Sequence, residues 1–388
     1  MRKILLIFGT RPEAIKLCPV VRCLREHPTR FDVKVCVTAQ HREMLDQVLE
    51  AFNVQPDHDL DLMLPGQTLF QSTSRILGAL ENVLASERPS LVIVQGDTTT
   101  TLCGALAAFY LRIPVAHVEA GLRTGDMHQP FPEEMNRVLT SHLTDLHFAA
   151  TEKAAENLRN EGVIPSKITV TGNTGIDAVL YVRDGLEQGR FEGQPWPQLD
   201  PLKKLIVVTA HRRESFGDGF ERICRALATL ANRDDVQVVY PVHPNPNVQD
   251  PVQRYLANHP NIRLIEPLSY VPFMDLMRRA YLLITDSGGV QEEGPSLGKP
   301  ILVLREKTER PEAVTAGTVK LVGTDEDQIV KSAEFLIENS HAYHQMARVH
   351  NPYGDGLAST RIAAVIDSFF KENSRRSHAD SAASSGLG

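Results

Sequence analysis

Short apolar runs alternate with longer amphipathic stretches along most of this chain. In the first half, the apolar runs fall at residues 3–8, 32–38, 91–94, 115–118 and 145–149. Between them lie helical patterns, such as those at residues 13–27, 44–52 and 99–111. Continuous apolar runs of this length are typical of buried parallel strands, and the intervening pattern is typical of helices. The first half is therefore predicted to consist of βα units.

The alternation is interrupted once and then resumes. Residues 185–202 hold three glycines and three prolines, which is typical of an interdomain linker. New apolar runs follow at residues 205–209, 236–241, 262–265, 282–285 and 300–304. Both halves open with an apolar run that leads through small residues to a basic residue, Arg11 or Arg212. We therefore predict an α/β protein with two Rossmann-like domains facing a central cleft, because ligands bind beyond the carboxyl ends of parallel strands.

This pattern also predicts domain boundaries. The N-terminal domain is expected at residues 1–184, the linker at 185–202 and the C-terminal domain at 203–356. A helical pattern at 357–372 is expected to pack back on the N-terminal domain. The remaining residues, 373–388, are rich in Ser, Ala and Gly and are expected to be disordered.

The composition limits the possible partners and cellular locations of the protein. A net charge of -7 at pH 7 argues against a nucleic-acid partner, which would require a basic face. Five scattered cysteines without a CxxC pair are typical of a reducing compartment. The N-terminal apolar run is too short for a signal peptide, and no apolar stretch reaches the roughly 20 residues of a membrane helix. These features predict a cytoplasmic protein without a membrane partner.

The sharpest local signal for a ligand follows the apolar run at 282–285. Ser287, Gly288 and Gly289 stand between a predicted strand and a predicted helix. Free backbone N–H groups at such a turn favour an anion, typically phosphate. Glu293 follows within the helix and is placed to accept hydrogen bonds from sugar hydroxyls. An ordinary βα turn is the alternative interpretation.

Basic residues also follow predicted strands. They are Arg11, Lys16, His211, Arg212, Arg213, His243 and Arg310. Taken singly, each is more often a surface charge than a ligand contact. Their shared position at strand ends instead favours binding of a diphosphate by cations from both domains.

Three acidic residues follow the predicted strands of the first half: Asp97, Glu119 and Glu133. Together with His211 they are suited to general acid–base catalysis. Each also has a structural alternative. Asp97 suits a helix N-cap, Glu119 an ion pair with Arg123, and Glu133 the first turn of a helix.

Several other kinds of site have no support in the sequence. The chain lacks the glycine-rich motifs of ATP-type and dinucleotide-binding loops and the serine elbow of hydrolases. No set of His, Cys and Asp has the spacing of metal ligands. We therefore predict an enzyme that acts on a phosphorylated ligand without a metal or another cofactor.

The residues around these candidates strongly resemble the non-hydrolysing bacterial UDP-N-acetylglucosamine 2-epimerases. The matching segments are residues 8–16, 38–42, 95–100, 117–124, 131–137, 211–216, 286–300 and 309–313. The resemblance implies a GT-B-type fold and a homodimer. It also implies an isomerase that interconverts UDP-GlcNAc and UDP-ManNAc for polysaccharide biosynthesis. UDP would leave to give 2-acetamidoglucal and would then add back.

By resemblance, the candidates take specific roles. Asp97, Glu119 and Glu133 would transfer protons at carbon 2, with His211 as a further catalytic candidate. The remaining positions would bind the UDP-sugar: Arg11, Lys16, Arg212, His243, Phe273, Ser287, Gly288, Gly289, Glu293 and Arg310. Phe273 would lie beside the uracil. Leu268 departs from the family, in which glutamine is common at this position.

Some members of the family bind a second UDP-GlcNAc as an activator. Gln40, His41, Arg212 and His243 match that region. Two other positions depart from it, because Glu43 stands where glutamine is common and Gly66 where arginine is common. The absence of that cation is expected to weaken the activator site.

Four alternative functions stay open on sequence grounds. They are a hydrolysing epimerase, a UDP-2,3-diacetamido-sugar 2-epimerase, a GT-B-type glycosyltransferase and a UDP-GlcNAc sensor without turnover. The three carboxylates argue against the glycosyltransferase and the sensor. The motifs do not define the sugar pocket, so they do not decide between the epimerases.

Overall fold

The structure is a computed structural model that describes residues 1–38, 42–64, 66–196 and 199–385. Contacts divide the chain into two units, of which the first comprises Met1–Ala178 and Gly354–Gly388 and the second comprises Val179–Tyr353. Each unit contains one parallel sheet with helical crossovers. The prediction of two Rossmann-like α/β domains is confirmed.

The first unit is built on a seven-stranded parallel sheet. Its strands are β1 (Arg2–Phe8), β2 (Phe31–Val37), β3 (His58–Asp59), β4 (Leu91–Gln95), β5 (Val115–Ala120), β6 (Leu146–Ala149) and β7 (Ile168–Val170). Its helices are α1 (Arg11–Arg25), α2 (Arg42–Ala51), α3 (Leu69–Glu87), α4 (Thr99–Tyr110), α5 (Glu133–Leu143), α6 (Glu152–Asn160), the start of α7 (Thr174–Glu187), and a C-terminal helix. The strand order is β3-β2-β1-β4-β5-β6-β7.

The second unit repeats this design with six parallel strands. They are β8 (Lys204–Thr209), β9 (Val236–Pro241), β10 (Ile262–Ile265), β11 (Leu282–Thr285), β12 (Ile301–Val303) and β13 (Val319–Leu321), in the order β10-β9-β8-β11-β12-β13. Its helices are α8 (Asp218–Ala231), α9 (Pro246–Leu256), α10 (Tyr270–Arg279), α11 (Gly288–Glu293), α12 (Pro311–Ala316), α13 (Glu326–Glu338) and α14 (Ser340–Ala347). The C-terminal helix of the first unit is α15 (Ala358–Ser385).

In both sheets the strand order reverses between two neighbouring central strands. The reversal lies between β1 and β4 in the first unit and between β8 and β11 in the second. Successive loops turn to opposite faces there, which opens a crevice at the carboxyl ends of the strands. All predicted candidates that follow these four strands therefore lie at the reversal points.

Ten of the thirteen strands fall on the apolar runs of the sequence, and the three that do not are β3, β7 and β13. Each is an edge strand of two or three residues. An edge strand pairs on one side only and is partly solvated, so its sequence lacks the continuous apolar run that a central strand needs.

The predicted linker at 185–202 is wrong in its first part. The division of the chain falls after Ala178, within α7, and α7 continues through Gly185. Gly185 serves packing, because a Cβ there would lie 2.3 Å from the ring of Phe191. That ring also packs edge-to-face on Tyr181, with 5.7 Å between centroids. Glycine in this segment therefore reflects a close contact within the second unit.

The C-terminal segment joins the first unit from Gly354 onward, three residues before the predicted boundary. The backbone N–H of Ser359 donates to Asp177 Oδ1 at 2.7 Å, and Arg361 donates to the Thr171 carbonyl at 3.0 Å. The described helix runs to Ser385, whereas the composition predicted disorder from residue 373. Helical extension from a packed segment needs no new nucleus, so Ala-rich residues continue it.

Among the described residues, no helix is long and apolar enough to cross a membrane.

Candidate active site

The first loop of the site connects β1 to α1. Thr10 is the N-cap of α1 and forms a capping box with Glu13. The Glu13 carboxylate accepts hydrogen bonds from the backbone N–H of Gly9 at 3.1 Å and of Thr10 at 2.8 Å. This arrangement places Arg11 in the first helical turn, with its side chain partly exposed.

Glu13 is also bonded to the loop after β4. Its Oε1 accepts from the hydroxyls of Thr98 at 2.8 Å and Thr101 at 3.2 Å. The side chain is buried, and burial raises the pKa of Glu13, although hydrogen bonds from Thr10, Thr98 and Gly9 oppose the shift. Glu13 therefore joins the two loops that carry Arg11 and Asp97, across the point where the strand order reverses.

Asp97 is not a helix cap. Thr98 caps α4 instead, because its hydroxyl accepts from the backbone N–H of Thr101 at 3.1 Å. The Asp97 carboxylate contacts the Arg137 guanidinium, and the Asp97 carbonyl accepts from Asn136 Nδ2 at 2.9 Å. Helix α5 thus holds Asp97 at both its side chain and its backbone.

Glu119 sits at an irregularity near the end of β5. The register with β6 shifts between Val118 and Ala120, and Glu119 has a left-handed backbone with φ of +65°. Such a bulge costs energy and re-aims one side chain, and it is common beside active sites. The Glu119 carboxylate contacts the Lys16 ammonium rather than Arg123, which pairs with Glu161 at 2.7 Å.

Glu119 and Asp97 lie on neighbouring strand ends. A Cβ built on Gly96, the residue before Asp97, would be 4.0 Å from Glu119 Oε1. His117, two residues before Glu119, donates from Nε2 to the Gly96 carbonyl at 2.7 Å. Burial lowers the pKa of His117 to about 4, so its ring is neutral at pH 7 and Nε2 carries the proton. The neutral ring joins the two strand ends.

Glu133 is the first residue of α5 and is partly buried. Its position in the first helical turn agrees with the structural alternative, in which its charge complements the helix dipole. The next residue, Glu134, accepts from Arg137 at 2.9 Å and from the backbone N–H of Thr124 at 3.0 Å. The same helix therefore carries Glu133 and the cation that holds Asp97.

In the second unit, the ends of β8 and β11 are joined by a buried carboxylate. Asp286 is 1% exposed, and its Oδ2 accepts from the backbone N–H of His211 at 2.6 Å and of Arg212 at 2.7 Å. The imidazole of His211 stacks on that of His243, with 5.3 Å between centroids and 9° between planes. Three candidates, His211, Arg212 and His243, are thereby brought together.

The environment of His211 shifts the pKa of its imidazole. Burial lowers the pKa of His211, and the neighbouring His243 and Arg212 lower it further. The Asp286 carboxylate acts in the opposite direction.

The turn after β11 stands between a strand and a helix, as predicted, but the backbone N–H of Ser287 is not free. Ser287 is the N-cap of α11 but makes no side-chain cap, and its backbone N–H donates to Thr285 Oγ1 at 2.9 Å. A Cβ on Gly288 would lie 3.4 Å from Arg310 Nη2, so the guanidinium covers this glycine. Arg310 is held there by Glu292, whose Oε1 accepts from Nε at 2.5 Å.

The other candidates are placed as follows. Glu293 ends α11 and Phe273 lies in the first turn of α10, both partly buried, and Gly289 is exposed. Gln40 and His41 lie outside the described residues. Among the residues that the structure does describe, no group of His, Cys, Asp or Glu side chains is arranged to hold a metal ion.

Comparison with known proteins decides the family. The family model described as UDP-N-acetylglucosamine 2-epimerase matches residues 22–367. The UDP-N-acetylglucosamine 2-epimerase of Escherichia coli K12 is 58% identical over 369 residues, which cover 94% of this chain and 98% of that protein. The chain belongs to the UDP-N-acetylglucosamine 2-epimerase family.

Solved structures agree with this assignment to the epimerase family. The UDP-GlcNAc 2-epimerase of Neisseria meningitidis, solved with UDP-GlcNAc bound, has a TM-score of 0.86 and 49% identity, covering 94% of this chain and 99% of that chain. The Methanocaldococcus jannaschii enzyme, solved with UDP-GlcNAc and UDP, has a TM-score of 0.73 and 34% identity, covering 94% and 99%. The resemblance found in the sequence is confirmed, and an epimerase is an isomerase.

Several residues that shape this epimerase site were missed by sequence reasoning. They are the partners of the candidates: Glu13, His117, Arg137, Asp286 and Glu292. Glu134 and Arg137 are three residues apart, a spacing that allows a helical ion pair. Asp286 is the first polar residue after a buried strand, which is a signal for a site at the carboxyl edge.

Proposed function

We propose that this member of the epimerase family is a non-hydrolysing UDP-N-acetylglucosamine 2-epimerase, which interconverts UDP-GlcNAc and UDP-ManNAc. The observation that carries the proposal is the pair of carboxylates at neighbouring strand ends, Asp97 and Glu119, each in contact with a buried or half-buried cation. Acidic groups fixed in this way are suited to repeated proton transfer at one carbon.

The reaction requires such groups because the proton on carbon 2 is hardly acidic. In the forward elimination, the bond between carbon 1 and the UDP oxygen breaks as carbon 2 loses its proton. The products are UDP and 2-acetamidoglucal, which has a double bond between these carbons. UDP then adds back to carbon 1 while a proton reaches the opposite face of carbon 2.

We assign the proton transfers to Asp97, Glu119 and Glu133, with His211 as a further candidate. The bulge at Glu119 supports this role, since a strained backbone at a strand end directs one side chain. The helix that begins at Glu133 also holds Asp97 through Arg137, so both carboxylates share one rigid support.

Departing UDP requires positive charge and backbone donors. In the second unit, Gly288 and Gly289 begin α11 and are proposed to supply backbone N–H groups, Ser287 is its N-cap and is proposed to contribute its hydroxyl, and Arg310 lies over Gly288. Arg11 and Lys16 of the first unit are proposed to contribute further charge. Arg212, His243, Phe273 and Glu293 are proposed as further UDP-sugar contacts, with Phe273 beside uracil and Glu293 on the ribose.

We also propose that a second UDP-GlcNAc activates the enzyme weakly, through Arg212, His243, Gln40 and His41. Support comes from the stacked His211 and His243, which place Arg212 and His243 beside the catalytic candidate. A plot of the initial rate against UDP-GlcNAc concentration is expected to be sigmoidal at low concentrations. A strictly hyperbolic curve would contradict activation.

The reaction itself is tested by NMR with UDP-GlcNAc in D2O, without added cofactor and with EDTA present. UDP-ManNAc is expected to appear, with deuterium at carbon 2 of both epimers. Asp97→Asn and Glu119→Gln are each expected to lower kcat by about 100-fold or more. Free ManNAc with UDP would identify a hydrolysing enzyme, and binding without turnover would point to a diacetamido sugar.

A homodimer is the proposed assembly. Three consecutive apolar residues at the end of α4 are exposed, Phe109 by 56%, Tyr110 by 65% and Leu111 by 45%. They adjoin a depression of about 560 Å3 that Arg112 and Asp145 also line, so the patch carries both charges and is suited to a second copy of itself. Tyr110→Asp is expected to give monomers in light scattering, whereas Ile164→Asp, at an exposed site on another loop, is expected to leave the dimer intact.

A cytoplasmic location is part of the proposal. All five cysteines are unpaired, which agrees with a reducing compartment. Nucleotide sugars for polysaccharide biosynthesis are the proposed products.

A further inference from the structure

The two oxygens of the Asp286 carboxylate differ in their hydrogen bonding. Its Oδ2 is taken by two backbone N–H groups, those of His211 and Arg212. Its Oδ1 is buried and has no hydrogen-bond partner among the residues that the structure describes. A buried carboxylate oxygen without a donor is unfavourable and requires an explanation.

The nearest explanation is the imidazole of His211. Its Nδ1 lies 3.5 Å from Asp286 Oδ1, slightly beyond hydrogen-bond distance. The ring is restrained on its other side by the stacked ring of His243. His243 is itself fixed, because its Nδ1 accepts from the backbone N–H of Asn245 at 3.1 Å. The bond between His211 Nδ1 and Asp286 Oδ1 requires these two atoms to approach each other by about 0.5 Å.

We propose that Asp286 is a positioning residue that holds His211 in the Nδ1–H tautomer, so that Nε2 is the nitrogen that faces the substrate. The inference rests on the proposed function, in which His211 is a catalytic candidate. In other histidine–carboxylate pairs, the hydrogen bond at one ring nitrogen decides the protonation of the other ring nitrogen.

The charges around His211 agree with this role. Burial lowers the pKa of His211, Asp286 opposes this shift, and His243 and Arg212 add to it. The pKa stays below its ordinary value of 6.5, so the ring is neutral at pH 7 and Nε2 of the Nδ1–H tautomer carries the lone pair that accepts a proton.

The decisive variant is Asp286→Asn, which keeps the size of the side chain. The single amide oxygen is required by the backbone N–H groups of His211 and Arg212, so the NH2 group must face Nδ1. Two donors cannot share a hydrogen bond, and the ring therefore changes to the Nε2–H tautomer. We expect kcat to fall by about 100-fold or more while the KM for UDP-GlcNAc changes by less than about threefold.

The matched control is Asp275→Asn. Asp275 is also a fully buried aspartate of the second unit, and it binds Arg278 and Arg279 at 2.9 and 3.0 Å. Asp275→Asn is therefore the same type of substitution at a buried site away from His211. Its kcat is expected to stay within about threefold of the wild type.

The tautomer itself is read by 15N NMR of histidine-labelled protein, with His211→Asn used to assign the signal. We expect a protonated Nδ1 in the wild type and a protonated Nε2 in Asp286→Asn. In the His211→Asn background, Asp286→Asn should lower kcat no further. A wild-type Nε2–H tautomer, an unchanged kcat in Asp286→Asn, or additive losses in the double variant would each overturn the inference.

These readouts separate the two proposals. The tautomer is measured without turnover, so it stands even if the protein does not epimerise UDP-GlcNAc. Conversely, normal epimerase activity together with the Nε2–H tautomer of His211 would contradict this inference and leave the proposed function intact.

Discussion

Replacing Glu13 tests whether one buried carboxylate organises the candidate site residues of the first unit. Glu13 receives four hydrogen bonds, two from the backbone after β1 and two from threonine hydroxyls at the start of α4. It touches no proposed reacting atom. Its replacement therefore changes the support of Arg11 and Asp97 while leaving both residues in the chain.

The magnitude follows from the partners that lose an acceptor. In Glu13→Ala, the hydroxyls of Thr98 and Thr101 still bond each other at 3.1 Å, and Thr101 keeps the Gln95 carbonyl at 2.6 Å. The backbone N–H groups of Gly9 and Thr10 lose their carboxylate acceptor. At about 1–3 kcal/mol for each, and with a cavity added, the loss is about 3–7 kcal/mol.

Glu13→Gln is expected to behave differently. Its oxygen is able to accept from the two backbone N–H groups, while its NH2 group donates to the hydroxyls, which rotate to accept. Weaker neutral hydrogen bonds limit the loss to about 2 kcal/mol. Activity should follow the same order, because a displacement of about 1 Å in catalytic groups costs about 100-fold in rate.

The pH dependence adds a second test. Burial raises the folded-state pKa of Glu13 above its ordinary value of 4.5, so the folded state binds this proton more tightly than the unfolded state does. The contribution of Glu13 to stability is full below pH 4.5 and declines as the pH rises through the folded pKa. The stability of the wild type relative to Glu13→Gln should therefore fall with increasing pH.

Urea unfolding followed by circular dichroism, from pH 4 upward, measures these differences. Rates of UDP-GlcNAc turnover on the folded variants measure the effect on the site. If Glu13→Gln is as damaging as Glu13→Ala, or if the difference from the wild type grows with pH, the account of this residue is wrong.

Three further changes test other contacts. Gly121→Ala should lower the free energy of unfolding by several kcal/mol, because φ is +88° and the new Cβ would lie 2.2 Å from the Ala154 carbonyl. Gly162→Ala, with a similar φ of +85° but open space around it, should lower it by only about 1 kcal/mol in thermal unfolding. Equal losses in the two variants would contradict the clash at Gly121. Arg137→Met should destabilise by about 3–5 kcal/mol, because it removes the cation from the buried carboxylate of Glu134 and from the partly exposed one of Asp97. A neutral result in the same assay would refute this. Arg310→Lys should weaken UDP binding about tenfold in calorimetry, because a lysine lacks the planar fork; unchanged affinity would remove Arg310 from the anion site.

Much of the candidate site was accessible from local sequence. Asp97, Glu119 and His211 each follow a strand that the apolar pattern predicts, and parallel strands bring their carboxyl ends to one edge of a sheet. The resemblance to the epimerases then gave these residues roles. Their bonding partners were not predicted, because Arg137 and Asp286 reach the candidates from other elements of the fold.

The sequence by itself determined the two parallel sheets, the central strands and the family. These depend on apolar periodicity and on motifs, which are local properties of the chain. Only the tertiary structure decided the edge strands, the role of Gly185 and the interactions that restrain Glu119 and His211. Each of these depends on which distant segments come into contact, and a one-dimensional pattern does not record such contacts.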